Sequence, residues 1–508
     1  MSTSYTPEHP VGLPVGDGWV DVPETATVTF PFTGEDVASA PVGTSEIAQQ
    51  ALSYAVSVRG RMGSLPSHAR RAALMETHRV FSERRADVER LLVLETGKPL
   101  VDCRVEVDRT LLTLVTAAEE VARLHGETVP LDLLPSGEGL MGFWLRKPIG
   151  VVVGIAGFNY PLLLAVHKLA PALAAGCPVV LKPAPQTPLA TLWLVHVLRE
   201  ALAAAGGPRS GVQLVTGGVD VGAALTTDPR VAAVSFTGSA AVGHRIAKDA
   251  APTKVLLELG SNAALVVAAD ADVDAAADAV VRGGYYASGQ ACISVQRVVV
   301  VETARARFLA ALAARMERVV VGDPRDEATR VSALIDPRST ERVIEWVRAG
   351  CEAGGTLVHG GGIRNGVIEP TVLLDVPDGQ LAWDEEVFGP VVVVRSVPDL
   401  EAAIDVVNRS RYGLHASVFT EGLGSAFAAI DRIEAGGVVI NEVPGFRSDV
   451  MPYGGVKDSG VGREGPRFAI EELTVTRMAI IRPSAAGTSA PAATEPAVVP
   501  EKQGRAHG

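Results

Sequence analysis

Between about residues 45 and 125, Ala, Leu and Val recur at helical spacing among Arg and Glu, as in RRAALMETHRVFSERRADVERLLVLE. This periodicity predicts a run of amphipathic helices. From Ile149 the texture changes. Short β-branched runs alternate with Ala-rich stretches: GVVVGIAG, LLLAVHKLAPALAAG, CPVVLKP, TLWLVHVLREALAAAG, VQLVTG and AAVSFTG. Strands buried on both faces are apolar throughout, so the alternation predicts βαβ units around a parallel sheet. A second series follows Glu258, with AALVVA, VQRVVVVE, FLAALAARMERVVVG, VVVVRSV and GGVVIN. Two series predict two α/β domains. The segment LHGETVPLDLLPSGEGLMGFWLRKP is rich in turn residues and is expected to form an arm. The Ala/Pro/Thr-rich stretch from 484 to 508 lacks periodicity and reads as a disordered tail.

Composition narrows the function. A chain of 508 residues holds several domains, and 47% hydrophobic content is enough for large cores. The net charge of -12 leaves no basic excess to displace counterions, so nucleic acid is not the expected partner. The apolar stretch from Pro148 to Val166 contains Gly150, Gly154, Gly157, Asn159 and Pro161. It reads as strand, turn and helix start rather than a membrane span. No basic start followed by an apolar run marks a secretory signal. The four cysteines include no Cys-x-x-Cys pair, so no metal site is expected, and their scarcity fits a reducing, cytoplasmic setting.

Six segments carry candidate chemistry. In GYYASGQACISVQRV, small residues precede Cys292 and allow a tight turn that exposes a thiol. Alone, the segment describes an inert buried cysteine better than a reactive one. In TKVLLELGSNA, Glu258 ends an apolar run; it is either a paired carboxylate or a base whose pKa burial raises. Asn159, between Phe158 and Tyr160, is either a turn residue or an amide donor to an oxyanion. Gly238 and Ser239 open a helix that offers free N–H groups to a phosphate. Lys182 ends a strand, where open α/β sheets bind ligands. Glu385, Glu386 and Phe388 precede another strand, placing carboxylates for hydroxyl groups beside a flat ring.

Taken in order, these segments resemble the aldehyde dehydrogenase superfamily over about residues 20 to 482. Four further matches are LETGKP at 94–99, APALAAG at 170–176, YGLHASVF at 412–419 and MPYGGVKDSGVGREG at 451–465. The resemblance implies a Rossmann-like dinucleotide-binding domain (1–124 and 150–257) and an α/β catalytic domain (258–465). It also implies a small β oligomerisation arm (125–149 and 466–483) and assembly into homodimers or homotetramers. It assigns Cys292 as nucleophile, Asn159 as oxyanion donor, Glu258 as the base that activates water, and Lys168 and Glu464 as helpers. By the same matching, Phe158, Lys182, Gly218, Gly238, Ser239, Glu386 and Phe388 contact NAD or NADP. Pro185 stands where many NAD-preferring members carry a ribose-binding glutamate, which leaves both cofactors allowed. Ser261 and Asn262 replace the usual Gly-Lys after Gly260.

The segments around Cys292 and Arg447 look most like the branch acting on lactaldehyde, glyceraldehyde-3-phosphate, phosphonoacetaldehyde and sulfolactaldehyde. An aldehyde that is short and polar or anionic is therefore expected. Arg109, Arg447 and Tyr160 are candidates for holding it, since a guanidinium fork suits an anion. The alternative is that each arginine pairs structurally, Arg109 with Asp108 and Arg447 with Asp449. Ala291, beside the nucleophile, adds no charge. An acylating enzyme that passes the thioester to coenzyme A is disfavoured by Glu258. A catalytically inactive relative is disfavoured by the joint presence of Cys292, Glu258 and Asn159.

Overall fold

Residues 10–483 are described by a computed structural model; the tail predicted from 484 onward lies outside them. Four helices open the fold: α1 (Ser45–Ser64), α2 (Ser67–Glu83), α3 (Arg85–Thr96) and α4 (Leu100–Glu120). Local signals set their ends. The Thr44 hydroxyl accepts the Ile47 N–H, and Pro66 and Pro99 precede α2 and α4. Gly97 leaves α3 in the left-handed region at φ 69°, which glycine adopts without a Cβ penalty.

The β-branched runs become two sheets. The first runs Gly460–Val461, Lys254–Glu258, Val231–Thr237, Val151–Ile155, Val179–Lys182, Val212–Leu214. Every neighbouring pair is parallel except Gly460–Val461, which joins antiparallel at the edge. Helices α5 (Pro161–Ala175), α6 (Leu189–Ala204), α7 (Val219–Thr226) and α8 (Ala240–Asp249) connect its strands. The second sheet runs Thr356–His359, Thr371–Leu374, Val391–Val397, Arg297–Val301, Ala264–Val267, His415–Phe419, Gly437–Ile440. Only its Thr356–His359 edge is antiparallel. Helix α9 (Val273–Tyr285) crosses between two of its strands.

The chain order reverses in the first sheet between Val151–Ile155 and Val231–Thr237. A crevice at the carboxyl ends of the strands at such a reversal is where α/β sheets bind ligands. Asn159 follows the first of these strands and Gly238 the second, so both stand at the crevice.

The described residues divide into two units, residues 10–124 with 147–475 and residues 125–146 with 476–483. Both large sheets belong to the first. The second is built on a three-stranded sheet of Thr128–Val129, Met141–Pro148 and Thr474–Ile481. Boundaries differ from the sequence expectation. Residues 147–149 and 466–475, expected in the arm, lie in the larger unit, where the helix Pro466–Glu472 and Leu473 bury Ala469, Ile470 and Leu473. Gly460–Val461, expected with the catalytic domain, extends the first sheet. Among the described residues no helix is long and apolar enough to cross a membrane.

Candidate active site

Asn159, Glu258 and Cys292 line one cavity of about 600 Å³. Asn159 sits in the turn before α5, whose first residue is Pro161. Helix α4 anchors that turn. The buried Lys98 ammonium donates to the Asn159 carbonyl at 2.8 Å, pairs with Glu106, and lies 3.6 Å over the Tyr160 ring. The other Glu106 oxygen accepts the Leu162 and Leu163 N–H groups at 3.0 and 3.2 Å. These are orphan donors of the first turn of α5, so a carboxylate from another helix caps it. The Asn159 side-chain amide donates to the Gln290 carbonyl at 2.8 Å, tying it to the cysteine loop.

That loop is strained. Ala287, Ser288 and Gly289 lie consecutively at φ 48°, 57° and 74°. Positive φ is costly for the first two and persists only where neighbours enforce it. The Ala287 N–H donates to the Asp102 carboxylate at 2.8 Å, and the Ser332 N–H to the Ser288 hydroxyl at 2.9 Å. The Ile335 N–H donates to the Gln290 side chain at 3.0 Å. A Cβ at Gly289 would overlap the Gly389 carbonyl, so only glycine fits. The loop delivers the Cys292 thiol into the cavity, where Sγ lies 3.3 Å from the Tyr453 hydroxyl. Burial pushes this thiol up to about 11; the Tyr453 hydroxyl and Arg447 oppose the rise, and Glu386 and Glu258 add to it.

Glu258 ends its strand with one carboxylate oxygen buried and without a hydrogen bond. Burial and then the nearby Glu464 raise its pKa well above the ordinary carboxylate value. Lys168 donates to Glu464 at 3.1 Å and to the Thr237 hydroxyl at 2.7 Å. Burial alone would raise the Glu464 carboxyl, but Lys168, His167 and Arg447 hold it well below the usual range. The two glutamates thus differ in kind: one carboxyl holds its proton more tightly than an ordinary carboxylate, the other less tightly.

Arg109, Tyr160 and Arg447 line the same cavity. Arg109 does not pair with Asp108, which goes to Arg85 at 2.6 Å. It forks onto Asp449 at 2.9 and 3.0 Å, across 340 residues of sequence. The buried Arg447 donates to Glu464 at 3.2 Å and lies 3.5 Å from Asp449. Its Nε makes no hydrogen bond. His167 stands between the same two acids, at 3.1 Å from Asp449 and 3.2 Å from Glu464.

Phe158, Gly238, Ser239, Glu386 and Phe388 line this cavity as well. The rings of Phe158 and Phe388 meet edge to face at 5.7 Å. The Glu386 carboxyl accepts the Ser261 N–H at 2.9 Å, and burial raises it to about 7. A Cβ at Gly260 would overlap this carboxylate, so the loop after Glu258 keeps glycine there. Asn262 is structural: its amide donates to the Trp383 and Asp384 carbonyls and its oxygen accepts the Ser410 hydroxyl. Lys182 and Gly218 lie outside the cavity lining, together at the start of α7, whose N-cap is Gly218. Burial lowers the Lys182 ammonium to about 8, with Asp220 opposing. Helices α7 and α8 both begin without a side-chain cap, which leaves N–H donors for phosphate. Donors, a ribose-type carboxylate and a flat aromatic flank fit a dinucleotide.

Sequence reading passed over Tyr453, His167, Lys98 and Glu106. Two of them sit inside matched motifs, Lys98 in LETGKP and Tyr453 in MPYGG. Glu106 carried its own signal, a charge within the buried stripe Cys103, Glu106, Val107, Thr110 of α4. His167 carried none.

The sequence profile of the aldehyde dehydrogenase family matches residues 19–479. The 3-sulfolactaldehyde dehydrogenase of Priestia aryabhattai is 38% identical over 480 residues, 94% of this chain and 99% of its own. Among solved structures, aldehyde dehydrogenase 21 from Physcomitrella patens, in complex with the reaction product succinate, matches with a TM-score of 0.88. Identity there is 34%, over 93% of this chain and 98% of the other. The glyceraldehyde-3-phosphate dehydrogenase GapN from Methanocaldococcus jannaschii, complexed with NADP, matches at 0.87 with 33% identity, over 91% and 100%.

Proposed function

The chain belongs to the aldehyde dehydrogenase family, and on that premise we propose that it oxidises a short anionic or hydroxylated aldehyde to the carboxylate through Cys292. The family draws on NAD or NADP, and the bound nicotinamide supplies a hydride acceptor. Gly238, Ser239 and Lys182 would hold its phosphates and ribose, with Glu386, Phe158 and Phe388 along the rest.

The steps assigned to the chain follow from side-chain chemistry. The Cys292 thiolate attacks the aldehyde carbon, and the negative charge moves to the former carbonyl oxygen. The Asn159 amide and the Cys292 N–H donate to that oxygen. Loss of hydride from the carbon leaves a thioester on Cys292. Glu258 takes a proton from water as the water attacks the thioester; the carboxylic acid leaves and the thiolate is regenerated. Burial and Glu464 keep the Glu258 pKa high, while Arg447 and Lys168 partly offset the rise.

The observation that carries the substrate class is the presence of two guanidinium groups, Arg109 and Arg447, in the same cavity as Cys292. A guanidinium fork suits a sulfonate, phosphate or carboxylate tail. Arg109, with two of its five donors on Asp449, has others to offer the same tail. The similarity to a sulfolactaldehyde dehydrogenase supports this class. The test is kcat/KM for sulfolactaldehyde, glyceraldehyde-3-phosphate, lactaldehyde and hexanal, each with NAD and NADP. Anionic aldehydes should lead, and Arg447→Ala should erase their lead. A preference for hexanal that survives in Arg447→Ala rejects the proposal. Exposed Leu133, Leu134, Met141 and Ile480 on the smaller unit support a homodimer or homotetramer, measurable by light scattering.

A further inference from the structure

One buried hydroxyl touches the reacting sulfur and has no part in the steps above. Tyr453 Oη lies 3.3 Å from Cys292 Sγ. The tyrosine is held from every side. Its backbone exchanges two hydrogen bonds with Glu464, at 3.1 and 2.7 Å. The Arg447 guanidinium sits 3.7 Å from the ring centroid, and the His415 ring packs against its edge at 5.1 Å. His415 is itself tied to the Pro444 carbonyl at 2.8 Å. The hydroxyl cannot swing away from the sulfur without breaking this clamp.

The direction of the bond follows from charge. Burial, and then the sulfur itself, raise the phenol well above its ordinary pKa, so it keeps its proton. A thiolate has only acceptor capacity, so the tyrosine donates. A cation over the ring face draws on its electron density and strengthens the donor.

We propose that Tyr453 is a catalytic residue: its hydroxyl donates a hydrogen bond to the Cys292 sulfur and sets the fraction of thiolate available to attack the aldehyde. The proposal rests on Cys292 being the nucleophile. No bond of Tyr453 breaks. The thiol proton leaves to solvent, the phenol proton stays on Oη, and sulfur gives up its negative charge when the carbon–sulfur bond forms. The hydrogen bond therefore has two opposed effects. It raises the thiolate population and lowers the reactivity of each thiolate. The other groups facing the sulfur are Glu258, Glu386, Arg447 and Tyr286, and all stay in place when only the hydroxyl is removed.

Removing one charge-assisted donor should raise the thiol midpoint by about one unit, roughly tenfold in thiolate population. Intrinsic nucleophilicity rises with thiol pKa with a coefficient of about 0.4–0.5, so each thiolate gains about threefold. The two rate profiles should therefore separate, the variant lagging near neutrality. The full chain is reacted with a neutral dithiodipyridine over a range of pH, without aldehyde or cofactor, and Cys292 modification is read by peptide mass. Tyr453→Phe should react about threefold more slowly near neutrality, and the alkaline rise of its profile should begin at higher pH than in the wild type. Incorporating 3-fluorotyrosine at position 453, a stronger donor of the same shape, should move the midpoint down. Superimposable profiles overturn the proposal, as does a uniform change in rate with an unmoved midpoint, which marks packing alone. Aldehyde oxidation by Cys292→Ala is measured separately. Full activity there removes the nucleophile itself, whereas the thiol profile still decides whether Tyr453 controls the sulfur.

Discussion

Replacing Glu106 with alanine should loosen the first turn of α5 and, with it, Asn159, the proposed oxyanion donor. Glu106 accepts two backbone N–H groups at that turn and neutralises Lys98, whose side chain is 2% exposed. Hydrogen bonds to a charged acceptor contribute about 1.5–3 kcal/mol each. Stranding one member of a buried ion pair costs about 3–5 kcal/mol. The two effects overlap, since both describe the loss of one carboxylate, so about 3 kcal/mol is the conservative figure. At about 1.4 kcal/mol per factor of ten, this raises the opening equilibrium of the turn roughly a hundredfold. Hydrogen–deuterium exchange at the Leu162 and Leu163 amides reads that equilibrium directly. The Asp274 and Ala275 amides, capped by Asp272 at the start of α9, serve as the internal control. Because Lys98 also holds the Asn159 carbonyl, kcat should fall about ten- to a hundredfold, the usual effect of misplacing a catalytic group by an ångström. Glu106→Gln keeps an acceptor oxygen and should fall between. Unchanged exchange at Leu162 and Leu163, relative to the control amides, refutes a cap supplied from α4.

Other consequences concern charge. Burial raises the Asp102 carboxyl to about 6, above an unfolded value of about 3.9, so the folded chain holds that proton more tightly. Its stabilising contribution is complete below about pH 4 and is lost as pH rises through about 6. Asp102→Asn keeps an acceptor for the Ala287 N–H and should match the wild type in acid. It should exceed the wild type above about pH 6 by up to ~3 kcal/mol, read as a higher urea midpoint; a lower midpoint in both ranges contradicts the sign. Pro185→Glu places a carboxylate beside Lys182 and should raise the KM for NADP at least tenfold while sparing NAD, in steady-state kinetics. Glu258→Gln should keep the first turnover and lose the subsequent ones, giving a burst of reduced cofactor equal to the enzyme concentration. A linear trace with no burst places the loss before the thioester.

The order of elements was legible along the chain. Runs such as GVVVGIAG and AALVVA must be strands buried on both faces, because an exposed face requires alternation. Cys292, Glu258 and Asn159 stand out once their segments are taken in register. Short pieces misled, because they carry too few residues for a period: Gly460–Val461 pairs with a strand some two hundred positions earlier, and Pro466–Glu472 buries its stripe in the larger unit. Only the tertiary structure decided who neutralises whom. Arg109 passes over its neighbour Asp108 and takes Asp449, His167 falls between Asp449 and Glu464, and Tyr453 reaches the Cys292 sulfur. Periodicity is a local property, so the sequence declares which faces are apolar. Buried charges choose partners by shared space and low dielectric, and that space exists only once distant segments have met.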